Sequence, residues 1–203
     1  MKIPSQTECF NLIKQMNMMD HIIDHSIMVS NVSLCLCKAL QKHFPDLNEH
    51  LVVAAALLHD ITKTRSFETH EIHSETGGQM LTQMGYPEVG AIIRQHVLLD
   101  VYDMQSPVTV EEIVNYSDKR VLHDQVVSLE KRLEYIECRY ASTDQLKKRL
   151  RLMCIKTLDL EKKLFGFLDI KPDQLRGQTL NCESNQKNKI TWGDAPQQSI
   201  EQY

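Results

Sequence analysis

His59 and Asp60 follow directly on Leu51–Leu58, LVVAAALL, a run with no polar side chain. A helix apolar on every side belongs in a core, so its end delivers an imidazole and a carboxylate into the interior. An ionised carboxylate buried without a partner costs on the order of several kcal/mol, so something cationic must sit beside Asp60. A metal ion is one solution, since imidazole and carboxylate are good ligands for Zn, Mn or Fe; a buried Lys or Arg is the other. Further groups of the same chemistry fall on apolar-patterned segments: His25 in IIDHSIMVSNVSLCL, His73 heading HSETGGQML, His96 in AIIRQHVLL and Asp118 in EEIVNYSDKRVL. Asp118 lies four residues after Val114 and three before Val121, on their inward face. A single buried His ordinarily finds a hydrogen-bond partner. A set this large would need many separate partners, where one or two metal ions satisfy all of it.

The elements that must position these groups read as helices. Ser5-x-x-Glu8 has the form of a capping box and starts a helix over about residues 6–18. A second is expected from Asp20 to His43, ending before Pro45. Asn48 caps a third, LVVAAALLHD. A fourth runs from His73 to Met84 with Gly85 as its stop, and Pro87 opens a fifth containing His96. Thr109-x-x-Glu112 is a second capping box and predicts a helix to about His123. Ser128 caps a helix to about Tyr140, and Ser142-x-x-Gln145 precedes a last one ending near Leu168. Segments 64–72 and 100–108 read as loops. No segment has a convincing strand period, and 7 Gly and 6 Pro in 203 residues suit long helices with short connections.

His25, His59-Asp60 and Asp118, with HSIMV, AAALLHDITK and NYSDKRV around them, resemble in order and spacing the H…HD…D signature of the HD superfamily of metal-dependent phosphohydrolases. The resemblance covers roughly residues 20–125. His73 and His96 look like the extra histidines of its dinuclear branch, which includes HDIG-type and YqeK-like dinucleoside-tetraphosphate hydrolases; His73 fits better than His70 because SETGGQML follows it. The resemblance implies an all-α HD-domain helical bundle with a buried metal site and additional C-terminal helices. It implies that His25, His59, Asp60 and Asp118 bind one divalent metal and that Asp60 bridges to a second at His73 and His96. The ions would be Fe, Mn, Zn or Mg, and a metal-bound hydroxide would be the nucleophile. Lys63 and Arg120 are candidate catalytic cations for phosphate, beside Asp60. The chain departs from the pattern at Thr62, where HDIG has Gly, at Val97, where some dinuclear members have a second His, and in lacking a GYP motif. His21, one turn before His25, reads as a surface or gate residue.

The remaining composition bounds partners and compartment. Hydrophobic residues make up 42% and charged residues 25%, as in an ordinary globular chain. A net charge of −4 offers no general attraction to nucleic acid, so bulk nucleic-acid binding is not expected. The basic cluster Lys147, Lys148, Arg149 and Arg151 reads as a solvated helix face. The 6 scattered Cys form no CxxC pair and suit free thiols in a reducing compartment. MKIPSQTECF has no long apolar stretch, and Leu51–Leu58 is too short to span a bilayer, so the expectation is a cytoplasmic protein without a membrane segment. Leu129, Leu133, Ile136 and Tyr140 recur at helical spacing and suit packing, with a homodimer contact as the alternative. The bundle is expected over 1–170 and a flexible polar tail over 176–203.

The leading functional expectation is hydrolysis of a phosphate ester or anhydride, with a nucleotide or a small phosphorylated metabolite as substrate. The alternatives are a dinuclear-iron oxygenase of HD type and a non-catalytic nucleotide-binding HD module. Oxygen uptake with iron distinguishes the first; failure to retain metal or turn over distinguishes the second.

Overall fold

The computed structural model describes residues 2–177 and 179. Its elements are α1 Gln6–Gln15, α2 Asp20–Leu40, α3 Glu49–Leu58, α4 Lys63–Thr69, α5 His73–Gln83, α6 Pro87–Arg94, α7 Val110–Asp118, α8 Leu129–Tyr140 and α9 Asp144–Phe165. A short antiparallel hairpin, β1 Val121–Leu122 and β2 Gln125–Val126, joins α7 to α8, with Val121 opposite Val126 and Leu122 opposite Gln125. The architecture is an all-α helical bundle. Of the tail expected over 176–203, Thr179 is buried; residues 178 and 180–203 lie outside the described residues.

Most caps form where the sequence places them. Ser5 and Glu8 close a reciprocal box, as do Thr109 and Glu112, and Asn48 accepts from the Leu51 amide. Several boundaries differ from expectation, each for a local reason. α1 stops at Gln15 because Asn17 turns the chain with φ 48°. α2 ends at Leu40 and a tight turn carries the chain to Phe44. Thr143, and not Ser142, caps α9, accepting from the Leu146 amide at 3.2 Å, and the helix ends at Phe165. Segment 63–69 is a helix, not a loop. None of its residues is buried, so it has no apolar stripe to betray it. The helix expected to reach His123 stops at Asp118, where the Arg120 amide turns back to Ser117 O and the chain enters the hairpin.

α3 is the central helix. Val52 and Ala54–Leu58 are all but inaccessible, packed against α2 on one side and α1, α6 and α7 on others. α2 is long and apolar enough by composition to cross a membrane, but two thirds of that stretch is buried inside this bundle, as in a core helix. The long C-terminal helix is fastened to α7 by buried charge. Lys163 meets both Glu112 oxygens at 2.7 and 2.9 Å and also binds Asp103 O at 2.8 Å.

α5 and α6 bring His73 and His96 together, and they cross closely because Gly78 and Gly90 face one another. A Cβ at Gly90 would lie 2.5 Å from both Gly78 O and Thr82 Oγ1; one at Gly78 would lie 2.8 Å from Gly90 O. Backbone cannot yield cheaply at that distance. Gly90→Ala is therefore expected to destabilise the fold by about 1–3 kcal/mol, the usual cost of overpacking. A lower urea midpoint together with weaker metal retention checks it.

Candidate metal centre

Every group of the proposed cluster arrives from a different local device. His25 lies on the first turns of α2. His59 caps α3, and Asp60 follows in the turn that breaks the helix before α4 begins at Lys63. His73 opens α5. His96 stands just past the end of α6, and Asp118 is the last residue of α7. His25, His59, Asp60 and His96 are buried, and the His73 and Asp118 side chains nearly so.

The side chains converge. His25 Nε2 lies 3.1 Å from Asp118 Oδ1, and His59 Nε2 lies 3.9 Å from that oxygen and 3.6 Å from Asp60 Oδ2. Asp60 Oδ1 faces the other way, 3.0 Å from His73 Nε2 and 3.5 Å from His96 Nε2, and these two nitrogens are 3.2 Å apart. Two overlapping ligand triads result, His25–His59–Asp118 and His59–Asp60–His96. His70, the alternative to His73, instead ends α4 in the left-handed region at φ 57°.

The tautomers follow from hydrogen bonding. His25 Nδ1 donates to His123 O at 2.9 Å, His59 Nδ1 to Ala56 O at 2.7 Å and His96 Nδ1 to Ile93 O at 2.6 Å. A carbonyl only accepts, so each Nδ1 carries the proton and each Nε2 turns a lone pair inward. Those lone pairs face carboxylate oxygens and one another, a repulsive arrangement unless a cation lies among them. His59 Nε2 and Asp60 Oδ1 are buried and, among the described residues, have no hydrogen-bond partner, which a bound cation would resolve. Donors each about 2.1 Å from one cation lie roughly 3–3.5 Å apart, close to most of the separations here. The residues present therefore fit a divalent metal.

Burial pushes the His59 imidazole down to about 4 and lowers His73 as well. For Asp60, burial works upwards but is outweighed by Lys63 and the surrounding imidazoles, which hold the carboxyl well below its usual range. Burial is likewise overcome at Asp118, by Lys119, His25 and Arg132.

Lys63 does reach the site, although the helix breaks before it: Nζ is 3.9 Å from Asp60 Oδ1 and 3.4 Å from His73 Nε2. Thr62, at the departure from HDIG, is buried and donates to His73 O at 2.7 Å, tying the turn to α5. His21 is exposed and stands at the rim of the cleft above His25.

Arg120 is a correction. Its donors go to Val127 O at 2.9 Å, Pro172 O at 2.8 Å and the Tyr116 hydroxyl, with Glu161 at 3.3 Å. It pins the hairpin and the Pro172–Gln174 turn to α7 and α9, and it does not face the cluster. Two residues that the sequence pattern does not single out stand there instead. Lys119 is buried, donates to His96 O and sits 3.5 Å from Asp118 Oδ2. Arg132 of α8 places a terminal nitrogen 3.6 Å from Asp118 Oδ1. The available signal for Arg132 is its position three residues after Leu129 and four before Ile136, on the flank of an apolar stripe.

The fold and the cluster define an all-α bundle whose converging His and Asp donors could hold a metal ion. Residues 22–135 match the HD domain family, so the chain belongs to that family, whose domains bind divalent metals and act in general as metal-dependent hydrolases. Among curated proteins it is 26% identical over 149 residues to a tRNA (cytidine(56)-2'-O)-methyltransferase of Picrophilus torridus, covering 66% of this chain and 41% of that protein. It is 25% identical over 148 residues to an uncharacterized protein of Methanocaldococcus jannaschii, covering 66% of this chain and 86% of the relative. The chain thus spans less than half the length of the Picrophilus protein. No solved structure matches it.

Three outcomes are expected. His59→Ala should abolish metal retention, and the metal-free wild type should lose stability as pH falls from about 6.5 towards about 4. The sign follows because over that range the unfolded imidazole takes up a proton that folded His59 refuses; thermal unfolding of chelated protein against pH reads it. Arg120→Ala should cost about 3–5 kcal/mol in urea unfolding, as for other broken buried ion pairs, while metal content per folded molecule stays at the wild-type value. Metal loss without destabilisation would return Arg120 to the site.

Proposed function

We propose that the chain is a phosphohydrolase that uses two divalent ions to cleave a phosphate ester or anhydride of a nucleotide or small phosphorylated metabolite. The observation that carries the reading is a cleft of about 280 Å³ that opens over Asp60 and His25 and is edged by Lys63. A buried donor cluster with a cation at its mouth suits an anion brought against a metal centre.

His25, His59 and Asp118 would hold one ion and His73 with His96 the other, with Asp60 shared because its two oxygens face the two groups. Bound divalent cations supply Lewis acidity and lower the pKa of coordinated water towards about 7. The chain's own residues do the rest. The backbone carbonyls at Ala56, Ile93 and His123 keep the Nε2 atoms deprotonated and aimed inward. Lys119 holds Asp118 and the His96 carbonyl from behind. Lys63 Nζ presents a fixed positive charge to phosphoryl oxygens, which gain negative charge as the P–O bond to the leaving group breaks. Water adds to phosphorus, and the products are inorganic phosphate and the protonated leaving group.

An anaerobic assay with Mn²⁺ or Fe²⁺ against phosphomonoesters and nucleotides should release inorganic phosphate. Lys63→Ala should lower kcat about 10²-fold, as removal of one charge-stabilising donor does elsewhere, with metal content unchanged. Oxygen consumption by the iron form without phosphate release would replace this reading with an oxygenase.

A further inference from the structure

α8 turns an unexpected face towards the cleft. Arg132, Tyr135 and Arg139, at i, i+3 and i+7, all line the same cavity as Asp60 and Lys63. Arg132 is a largely buried cation whose Nε has no hydrogen-bond partner among the described residues and whose nearest carboxylate oxygen among them, at 3.6 Å, is beyond good hydrogen-bond range. Its guanidinium lies over the Tyr135 ring, 5.7 Å from the centroid. Arg139 donates to the Tyr135 hydroxyl at 3.4 Å and lies 6.0 Å from the Tyr140 ring centre. Among the described residues Arg139 makes no ion pair with a carboxylate. Aromatic faces thus help hold both guanidinium groups in place, and neither makes a close carboxylate hydrogen bond, which leaves donors of both forks open to an anion.

Seven residues of helix advance about 10 Å, so the two arginines present separate positions along the cleft. From this we infer that α8 is an anion-reading face and that the substrate carries two anionic groups about two helical turns apart. Arg132 with Lys63 takes the phosphoryl group to be cleaved, and Arg139 takes a second phosphate or carboxylate at the far end of the molecule. This rests on the hydrolase reading above and adds the substrate class: a molecule charged at both ends, in preference to a monoester.

A molecular ruler tests it. With Mn²⁺-loaded protein, kcat/KM is compared for hexane-1,6-diol bisphosphate and for hexyl phosphate, and the binding of each is followed by calorimetry. The expected preference for the bisphosphate is about tenfold or more, the scale of one charge-assisted hydrogen bond. Arg139→Ala should collapse that ratio to near one. Arg132→Ala should lower kcat/KM for both compounds while metal content is retained. If Arg132 only positioned Asp118, metal would be lost instead. Equal wild-type kcat/KM and equal binding for the two compounds, or a ratio untouched by Arg139→Ala, overturns the inference. Tighter binding of the bisphosphate, abolished by Arg139→Ala but without phosphate release, would keep the anion-reading face and remove the hydrolase.

Discussion

Three imidazoles donate from Nδ1 to backbone carbonyls and turn bare Nε2 atoms towards two buried carboxylates. That orientation is repulsive by itself, and among the described residues it leaves buried His59 Nε2 and Asp60 Oδ1 without a hydrogen-bond partner. The rest of the bundle is arranged so that the repulsion persists until a cation relieves it. His59, Asp60, His73, His96 and Asp118 sit at helix ends or in the turns beside them, and His25 lies in the second turn of α2. Binding energy from such a centre is folding energy as well, because the unfolded chain offers no comparable site.

Much of the protein serves to hold those helix ends. Gly78 and Gly90 let α5 and α6 approach until His73 and His96 nearly touch. Thr62 fastens the turn after Asp60 to the first carbonyl of α5. The hairpin after α7 looks incidental until its turn is considered: His123, at φ 55°, supplies the carbonyl that orients His25. Two ionic ties, Glu112–Lys163 and Arg120–Glu161, hold α9 across α7, so the helix carrying Asp118 is braced at both ends.

Charge over the centre then decides what kind of molecule can approach. Lys63, Arg132 and Arg139 line the cleft together, in a chain whose net charge is −4. The positive character is local, built by helices that meet only in the folded state. A net charge therefore says little about the ligand, whereas the disposition of three cations around buried carboxylates says a good deal.

The local patterns were legible in residue order. The two capping boxes, the Asn48 cap and the core helix Leu51–Leu58 rest on contacts within a few residues, and each is present. The six metal-ligand candidates were also legible, because buried His and Asp on apolar segments are costly enough to mark themselves. Arg120, Arg132 and Lys119 were not. All three are cations in polar surroundings, and residue order does not tell a fork tied to Glu161 from one open to a cleft. Only the packing of α9 against α7 sends Arg120 to a structural tie, and only the placement of α8 beside the cluster brings Arg132 to Asp118. Local chemistry thus marked the candidate ligands in the chain, while the direction of long cationic side chains, governed by contacts tens of residues apart, was settled by the tertiary structure alone.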